Sequence, residues 1–434
     1  MSVKKRKSRA KLSSRRDEAA ESSIEMQPNT ERKRREKKQR SSENERPKTR
    51  KRVAPAKELE LVEGGVTTRK KRRHRSRVLL VILAVLIAAG TALQLLLPGG
   101  LFEQTQNALC SLGGGGGLPV SLVGDSVERL HMRSSTAFVL TDSHMYAYNM
   151  SGKEILSVQH GYTKPVMNVS ATRSLIYDRG NYKLRIDSLY KNITDTEFDR
   201  EIITADLSDS GCTAVALTDD EYASVVTVYD RRFNACFKWS SSADRIACVK
   251  LSPNGRKLCV VTADSASGAF VSNVFIFDIK SGSKVVSEKV AGEMLVTAFA
   301  GSRNVFLASP NKIVSFAFDG SGKKDYDIGS ISYVSAEYGR SLLVVSNPSG
   351  GRGSHINVIG LDGEKKADFD LDEDFSSLCL GSDTVIAYSG NTASVYGFDG
   401  KKQRDISVGY GSTCVAPYGE GVVSTADMKL SYQK

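Results

Sequence analysis

The chain has 434 residues, which suits one large repeat architecture or two to three ordinary domains and excludes a peptide-sized or disulfide-stapled scaffold. Its formal charge of +12 is unevenly placed: residues 1–77 hold 28 Lys or Arg and 11 Asp or Glu, whereas residues 78–434 hold 33 and 38. A nucleic-acid-binding domain needs a basic face, so the mildly acidic body is not expected to bind nucleic acid.

Residues 1–77 contain no aromatic residue and several runs of Lys and Arg. Such a segment cannot bury enough apolar surface to offset its ordering entropy, so it is predicted to be a disordered basic tail. Its basic runs are similar to nuclear-localisation or nucleic-acid patches, but a lipid-facing, topology-setting role is the favoured interpretation. A cytoplasmic protein partner of the tail is left open.

A continuous apolar segment, VLLVILAVLIAAGTALQLLL, follows at residues 78–97 and carries no charge. Twenty residues of helix span about 30 Å, the thickness of the hydrocarbon core, so the segment is predicted to be a transmembrane helix. A cleaved signal peptide is disfavoured by the long leader, and lipidation of Cys110 is disfavoured by the bulky Leu109 before it. The segment is therefore interpreted as a signal anchor.

Seven basic residues stand just before this segment, and the next Lys or Arg after it is Arg129. This asymmetry predicts a cytoplasmic N-terminus and an extracytoplasmic C-terminal region, with anionic lipid head groups as partners of the basic residues. Residues 98–117, which include a run of five glycines, are predicted to be a linker. The basic cluster consists of Arg69, Lys70, Lys71, Arg72, Arg73, Arg75 and Arg77.

Residues 118–434 repeat a unit with a mean length near 42 residues. Each unit holds two hairpins of alternating β-branched and aromatic residues, which predicts four antiparallel strands, the signature of a β-propeller blade. An all-β propeller of eight blades is predicted, with seven as the alternative if one weak unit is not a blade. The second hairpin of each unit turns at Asn149, Asp187, Asp230, Asp278, Asp319, Asp362 and Asp399, of which Asp187 fits least well.

The two ends of this region indicate how the ring closes. After the last full unit, three strands follow and the chain stops where a fourth is expected. The segment 119–124 is similar to the fourth strand at 405–409, so it is predicted to complete the last blade and leave no open edge.

The most unusual segment is HGYTKPVMNVSATRSLIYDRGNYKLRI at 160–186, which brings polar groups into a strand and turn context. Blade packing around a buried Asp–Arg pair is the favoured interpretation, and a ligand-binding patch on one rim is the functional alternative. The candidate binding residues are His160, Tyr162, Tyr177, Asp178 and Arg179.

The remaining motifs predict no metal, disulfide or phosphate-binding site. The seven cysteines and five histidines lack metal-ligand spacing, and the acidic strings 219–221 and 370–374 lack the spacing of a calcium loop, so no metal is predicted. Cys248 and Cys259 lie on neighbouring predicted strands, where buried thiols are favoured over a disulfide. Gly320–Lys323 is interpreted as a hairpin turn and not a phosphate-binding loop.

The basic tail, single anchor, glycine-rich link and blades, with GKEILSVQHGYTKPV followed by SLIYDRG, resemble a bacterial family called domain of unknown function 5711, with WD40-like or quinoprotein-like repeats. The resemblance covers most of residues 75–434. It implies a membrane-anchored propeller outside a single cell membrane, and it provides no catalytic residue.

Two functions remain in competition. The first is a non-enzymatic scaffold that binds a protein or cell-wall partner in the cell envelope. The second is an enzyme or sensor that binds a quinone cofactor or other small molecule at the central channel. The single tryptophan, Trp239, disfavours the second, since quinone-dependent propellers typically lock each blade with a Trp, so no cofactor is predicted.

Overall fold

The computed structural model describes residues 78–90 and 101–434, except for 265–269, 296, 337–340 and 347–352. Residues 78–90 form an exposed helix, α1, and Leu101–Ser111 form a second helix, α2. No helix in these ranges is long and apolar enough to cross a membrane. The predicted tail 1–77 with its basic cluster, and the second part of the predicted span, 91–97, lie outside the described residues.

The described strands form eight four-stranded antiparallel sheets, each one blade. Blades 1 to 4 contain β2 (Val127–Arg133), β3 (Thr136–Thr141), β4 (His144–Asn149), β5 (Glu154–Gln159); β6 (Pro165–Val169), β7 (Arg173–Asp178), β8 (Lys183–Ser188), β9 (Asn192–Glu197); β10 (Ile202–Leu207), β11 (Thr213–Leu217), β12 (Ser224–Tyr229), β13 (Ala235–Ser241); β14 (Arg245–Leu251), β15 (Lys257–Asp264), β16 (Val271–Asp278), β17 (Lys284–Ala291). Blades 5 to 8 contain β18 (Thr297–Ala300), β19 (Asn304–Ala308), β20 (Lys312–Ala317), β21 (Lys323–Asp327); β22 (Ile331–Ser335), β23 (Ser341–Ser346), β24 (Ser354–Gly360), β25 (Lys365–Leu371); β26 (Ser377–Leu380), β27 (Thr384–Ser389), β28 (Thr392–Gly397), β29 (Lys402–Ser407); β30 (Cys414–Tyr418), β31 (Gly421–Ala426), β32 (Lys429–Gln433), β1 (Val120–Ser121).

The core lies between neighbouring blades. The second strands β3, β7 and β23 are buried along their whole length because both faces of the sheet pack against another blade. Hydrophobic clusters join blade 4 to blade 5 and blade 6 to blade 7, for example. The fourth strands are mostly exposed, as in β21 and β29, because each forms an edge of its sheet.

The ring closes between the two ends of the propeller. Strand β1 pairs antiparallel with β32, with Val120 opposite Leu430, and the Leu122 amide donates to the Met428 carbonyl at 2.8 Å. Leu122 and Leu430 share a hydrophobic cluster with residues of β2 and β3. The predicted closure is confirmed, and the structure has eight blades, not seven.

Most of the predicted turn anchors cap the turn between the third and fourth strands. Asp230 accepts backbone hydrogen bonds from Arg232 and Asn234, and the equivalent residue of blade 1, Asn149, accepts from Ser151 and Lys153. Such a side chain stabilises a tight turn by satisfying its amides. Asp187 is the exception: its carboxylate binds the side chains of Arg185 and Asn192.

The strand order gives the ring two distinct faces. Since neighbouring strands are antiparallel, connections from first to second and from third to fourth strand lie at one end of every blade, and all others lie at the opposite end. Helix α2 packs at the first end, as described below. We call this end the helix face and the other end the opposite face.

Candidate functional site

Helix α2 is fixed to the helix face by one buried carboxylate. Glu103 is 5% exposed and its Oε1 lies 2.7 Å from Nε of Arg173, at the start of β7. Its Oε2 accepts from Arg173 Nη2 at 2.9 Å and from Arg231 in the last connection of blade 3. Two guanidinium groups from different blades therefore converge on one side chain of the helix.

The charge of Glu103 is stabilised in the folded protein. Burial alone would raise the pKa of its carboxyl group, but hydrogen bonds and charges from Arg173 and Arg231 outweigh burial and lower the pKa below its ordinary value. Arg173 also donates to the carbonyl of Arg231 at 2.7 Å, which holds the two arginines together. The two arginines therefore compensate for the cost of burying the Glu103 carboxylate.

Further hydrogen bonds extend this contact along α2. The buried Asn107 donates to the Thr172 carbonyl at 2.6 Å and accepts from the Leu189 amide at 3.0 Å. In blade 1, Asn149 donates to the carbonyls of Ser111, at the end of α2, and Gly113. Within the predicted linker 98–117, the helix and the start of the glycine run are thus bound to blades 1 to 3, a contact that the sequence analysis did not predict.

A cavity of about 520 Å³ lies between α2 and blades 1 and 2. Its size falls in the range of about 300–1,000 Å³ that is typical of small-molecule sites. Nine of the seventeen lining residues carry a hydroxyl or amide side chain, and the charged side chains there are paired: Arg133 with Asp209, Arg173 with Glu103, and Asp187 with Arg185. The described lining holds no His, Cys, Lys or Glu and therefore offers a mixed polar and apolar pocket without an evident general base.

The central channel contains a smaller cavity, where the first strands of several blades meet. This cavity of about 140 Å³ is lined by the ends of the first strands, including His131 and Lys250. Lys250 is paired with the buried Asp206 at 2.6 Å, and burial together with Arg129 and Arg133 lowers the pKa of His131 to about 4. This space is below the usual range for a bound organic cofactor.

The predicted patch residues lie on the opposite face or in the core beside it. His160 is buried in the connection between blades 1 and 2, where its Nε2 lies 3.2 Å from the Thr141 carbonyl oxygen and burial lowers its pKa. The ring of Tyr162 packs 5.1 Å from that of His160, and burial raises its pKa. These two residues contact each other as packing partners of blade 1 and blade 2.

The other three patch residues do not converge on a ligand space. Tyr177 is 3% exposed within the core cluster of blades 2 and 3. Asp178 accepts from the amides of Thr163 and Lys164 at 3.1 and 2.8 Å, and Arg179 is exposed. The expectation of a buried Asp–Arg pair is wrong here, because backbone amides satisfy the carboxylate.

Exposed apolar side chains of the propeller are concentrated on the opposite face. Among the described residues from 118 onward, eight large apolar side chains are exposed, and six of these lie in connections of that face. Tyr333 and Tyr432 lie on strands, and no described connection of the helix face carries one. The six residues are Val123, Tyr182, Tyr222, Phe270, Met294 and Tyr410.

Charge is segregated in the same way. The described connections of the opposite face hold three basic residues and thirteen acidic residues, whereas those of the helix face hold eight of each. The basic ones on the opposite face are Lys164, Arg179 and Arg200, and the acidic ones are Asp125, Asp142, Asp199, Glu201, Asp219, Asp220, Glu221, Asp244, Glu293, Asp372, Glu373, Asp374 and Asp427. One face of the ring is therefore both apolar and strongly acidic.

Acidic strings and cysteines have structural contacts. Asp219 accepts from the amides of Glu221 and Tyr222 and thus caps a turn. In the described part of the chain, no group of three or more His, Cys, Asp or Glu side chains is placed to hold a metal ion. Cys248 and Cys259 are buried and not disulfide-bonded, and burial raises the pKa of both thiols.

Comparison with known proteins supports the fold. A family model described as "Family of unknown function (DUF5711)" matches residues 126–421, and a search of the curated proteins found no match. The computationally designed Ika8 protein has a TM-score of 0.53 at 13% identity and covers 72% of this chain and 98% of its own. The C-terminal WD40 domain of Sif2 has a TM-score of 0.50 at 10% identity, with 74% and 99% covered. BamB from Moraxella catarrhalis has a TM-score of 0.46 at 10% identity, with 73% and 98% covered. At such identities the likeness to the Ika8 and Sif2 domains shows the fold alone.

Proposed function

We propose that this chain, which belongs to the DUF5711 family of unknown function, is a single-pass membrane protein whose extracytoplasmic propeller binds a protein partner on its opposite face. The observation that carries the proposal is the joint concentration of exposed apolar side chains and acidic charge on that face. Exposed apolar groups rimmed by charge are typical of protein interaction sites.

The chemistry of the face also indicates the kind of partner. Tyr222 follows Asp220 and Glu221 directly in the same connection, so an aromatic anchor comes after two carboxylates. A complementary surface offers apolar pockets for the aromatic rings and Lys or Arg side chains for the acids, because opposite potentials favour encounter and register. The partner is therefore a protein, or a protein segment, with a basic contact surface.

The anchor is supported by the sequence from 69 to 97. Its apolar segment is long enough to span a bilayer, and residues 78–90 of it are helical in the structure. The basic cluster before it favours a cytoplasmic N-terminus and contact with anionic lipid head groups. The propeller then lies outside the membrane, in the cell envelope.

Orientation is tested on the full chain in intact cells. A membrane-impermeant maleimide applied from outside should label the exposed Cys236 of the propeller. In a background whose seven native cysteines are replaced by Ser, a cysteine placed at Ser41 in the tail should react only after lysis. Labelling of Ser41→Cys in intact cells would overturn the orientation.

Partner binding is tested by site-specific photo-crosslinking in cells. A photoreactive residue at Tyr222 or Tyr410 should give a discrete product that is lost when Glu221→Lys, Asp372→Lys and Asp374→Lys are introduced together. Probes at Lys191 and Arg303, in connections of the helix face, are the matched controls. Equal products from both faces, or products that survive the charge reversal, would contradict the proposal.

A further inference from the structure

We propose that the helix face is seated on the membrane surface, with α2 lying in the interface and Leu109 and Leu112 in contact with lipid. The inference rests on the proposed anchor and adds which face of the propeller meets the bilayer and which residues touch it.

The short connection between the predicted span and α2 limits the distance between the propeller and the bilayer. The predicted span ends at Leu97 and α2 begins at Leu101, four residue steps later. Even fully extended, four steps reach at most about 14 Å. Because Glu103 and Asn107 bind α2 to blades 1 to 3, the helix face is held within that reach of the membrane surface.

Helix α2 turns two polar side chains towards the propeller and leaves leucines exposed at its C-terminal end. Glu103 and Asn107 are buried, at 5% and 7% exposure, whereas Leu109 and Leu112, the residue just after the helix, are 59% and 64% exposed, beside the exposed polar residues Gln104 and Thr105. A surface helix normally turns apolar residues inward and polar residues outward. Exposed leucines on the outside of the helix are stabilised if that side meets lipid, as in interfacial helices.

The distribution of charge also favours the helix face, and not the opposite face, for contact with the membrane. An anionic lipid surface repels the opposite face, whose described connections carry thirteen acids against three basic residues. The helix face has no such excess. In blades 4 to 7 its hairpins also lead into fourth strands whose first residue is an exposed lysine: Lys284, Lys323, Lys365 and Lys402.

The single native tryptophan allows a direct test. In a Trp239→Phe background, Leu109→Trp and Leu112→Trp report on α2, and Tyr222→Trp reports on the opposite face. Each full-length variant is reconstituted into vesicles of equal parts phosphatidylcholine and phosphatidylglycerol, with brominated or ordinary acyl chains. An interfacial helix buries its apolar side about 5–10 Å into the head-group region, so the Leu109→Trp and Leu112→Trp variants should lose at least half of their emission in brominated lipid. The Tyr222→Trp variant should lose none.

The outcomes separate this inference from the anchor on which it rests. Release of the wild-type chain from the vesicles by alkaline carbonate would overturn the anchor itself. Retention of the chain with unquenched tryptophan at both 109 and 112 would overturn the seating of α2 alone, and quenching at Tyr222→Trp would place the opposite face on the bilayer. Trp239 packs on Phe275 and Phe277, so the quenching is repeated with Trp239 retained as a constant signal, which protects the result if the background variant folds poorly.

Discussion

Neighbouring residues of the candidate binding patch have different roles in the structure. Tyr177 and Arg179 are two residues apart and were both predicted in a binding patch, yet Tyr177 lies in the core and Arg179 lies in solvent. The sequence could not separate them, because the segment departs from simple alternation where β7 ends and a turn begins.

This difference predicts opposite effects of truncation. Tyr177→Ala should lower the free energy of unfolding by about 3–5 kcal/mol, since it empties a packed aromatic site between blades 2 and 3. Arg179→Ala should change it by no more than about 0.5 kcal/mol. Urea denaturation of the two variants followed by circular dichroism measures both, and equal effects would contradict the assignment of Tyr177 to the core.

We expect Glu103 to determine whether α2 stays bound to the helix face. Glu103→Gln leaves the buried Arg173 and the partly exposed Arg231 without a carboxylate. Breaking a buried pair costs about 3–5 kcal/mol, an upper bound here because Arg231 reaches solvent and α2 is free to leave the face. We expect amides of residues 104–111 to exchange faster with deuterium, as measured by mass spectrometry. Faster exchange confined to other regions would contradict the role of this ion pair.

The Glu103→Gln variant has a matched control, and its ion pair predicts a dependence on pH. Arg133→Gln breaks the partly exposed pair with Asp209 on the same face and should cost only about 0–1 kcal/mol. Because the folded pKa of Glu103 is lowered, its stabilisation is present above the ordinary pKa of about 4.3 and is lost as pH falls through the lowered value. The protection factors of the α2 amides, which correct for the slower intrinsic exchange in acid, should therefore fall in acid for the wild type and not for Glu103→Gln.

At the scale of elements, the strands were predictable and α2 was not. Strand alternation, turn residues and the spacing of the units are local signals that recur in every blade, and so eight blades and their closure could be derived from the sequence. The segment of α2 lies between Pro98–Gly100 and Gly113–Gly117 and contains no Gly or Pro, which was a usable helix signal. Its docking depends on Arg173 and Arg231, which are distant in sequence, and no local pattern indicates such a contact.

The closure of the ring by β1 can be tested through the residue that follows this strand. Leu122, just after β1, is 7% exposed in the cluster that joins blades 8 and 1, whereas its neighbour Val123 is 59% exposed. Leu122→Ala should lower the free energy of unfolding by about 2–5 kcal/mol and free the edge of β32 for self-association. Val123→Ala is the matched control and should be near neutral. Light scattering during thermal unfolding measures the association, and an unchanged Leu122→Ala variant would contradict closure through β1.

At the scale of the whole molecule, the amino-acid composition does not indicate that the two faces of the ring differ in charge. The 33 basic and 38 acidic residues of 78–434 indicate only a mildly acidic body, but the net negative charge of the described connections lies on one face. Strand order decides which connections share a face, so the asymmetry emerges only once the blades are assembled. The candidate site could not be derived from the sequence for the same reason, since residues of different blades such as Tyr182, Tyr222 and Tyr410 share one face only once the ring is assembled.

The repeated turns also make the ring sensitive to acid. The pKa of Asp278 is lowered to about 2, chiefly by the Ser281 amide and then by Lys257, and backbone amides help lower those of Asp230 and Asp319 in neighbouring blades. With folded pKa values below those of the unfolded chain, these carboxylates stabilise the ring above their ordinary pKa and lose that contribution as pH falls. Denaturation midpoints should therefore drop from pH 5 to pH 3.

Blade 1 supplies the matched variant for this effect, because Asn149 occupies the position of Asp278 and caps its turn without titrating. Asp278→Asn should keep the turn, leave stability at pH 7 close to that of the wild type, and flatten the loss of stability between pH 5 and pH 3. Asp278→Ala should instead destabilise the protein at both pH values, because the Ser281 amide loses its acceptor. If Asp278→Asn retained the full acid sensitivity of the wild type, the acid lability would have to come from other carboxylates, with Glu103 the first to be compared in a double variant.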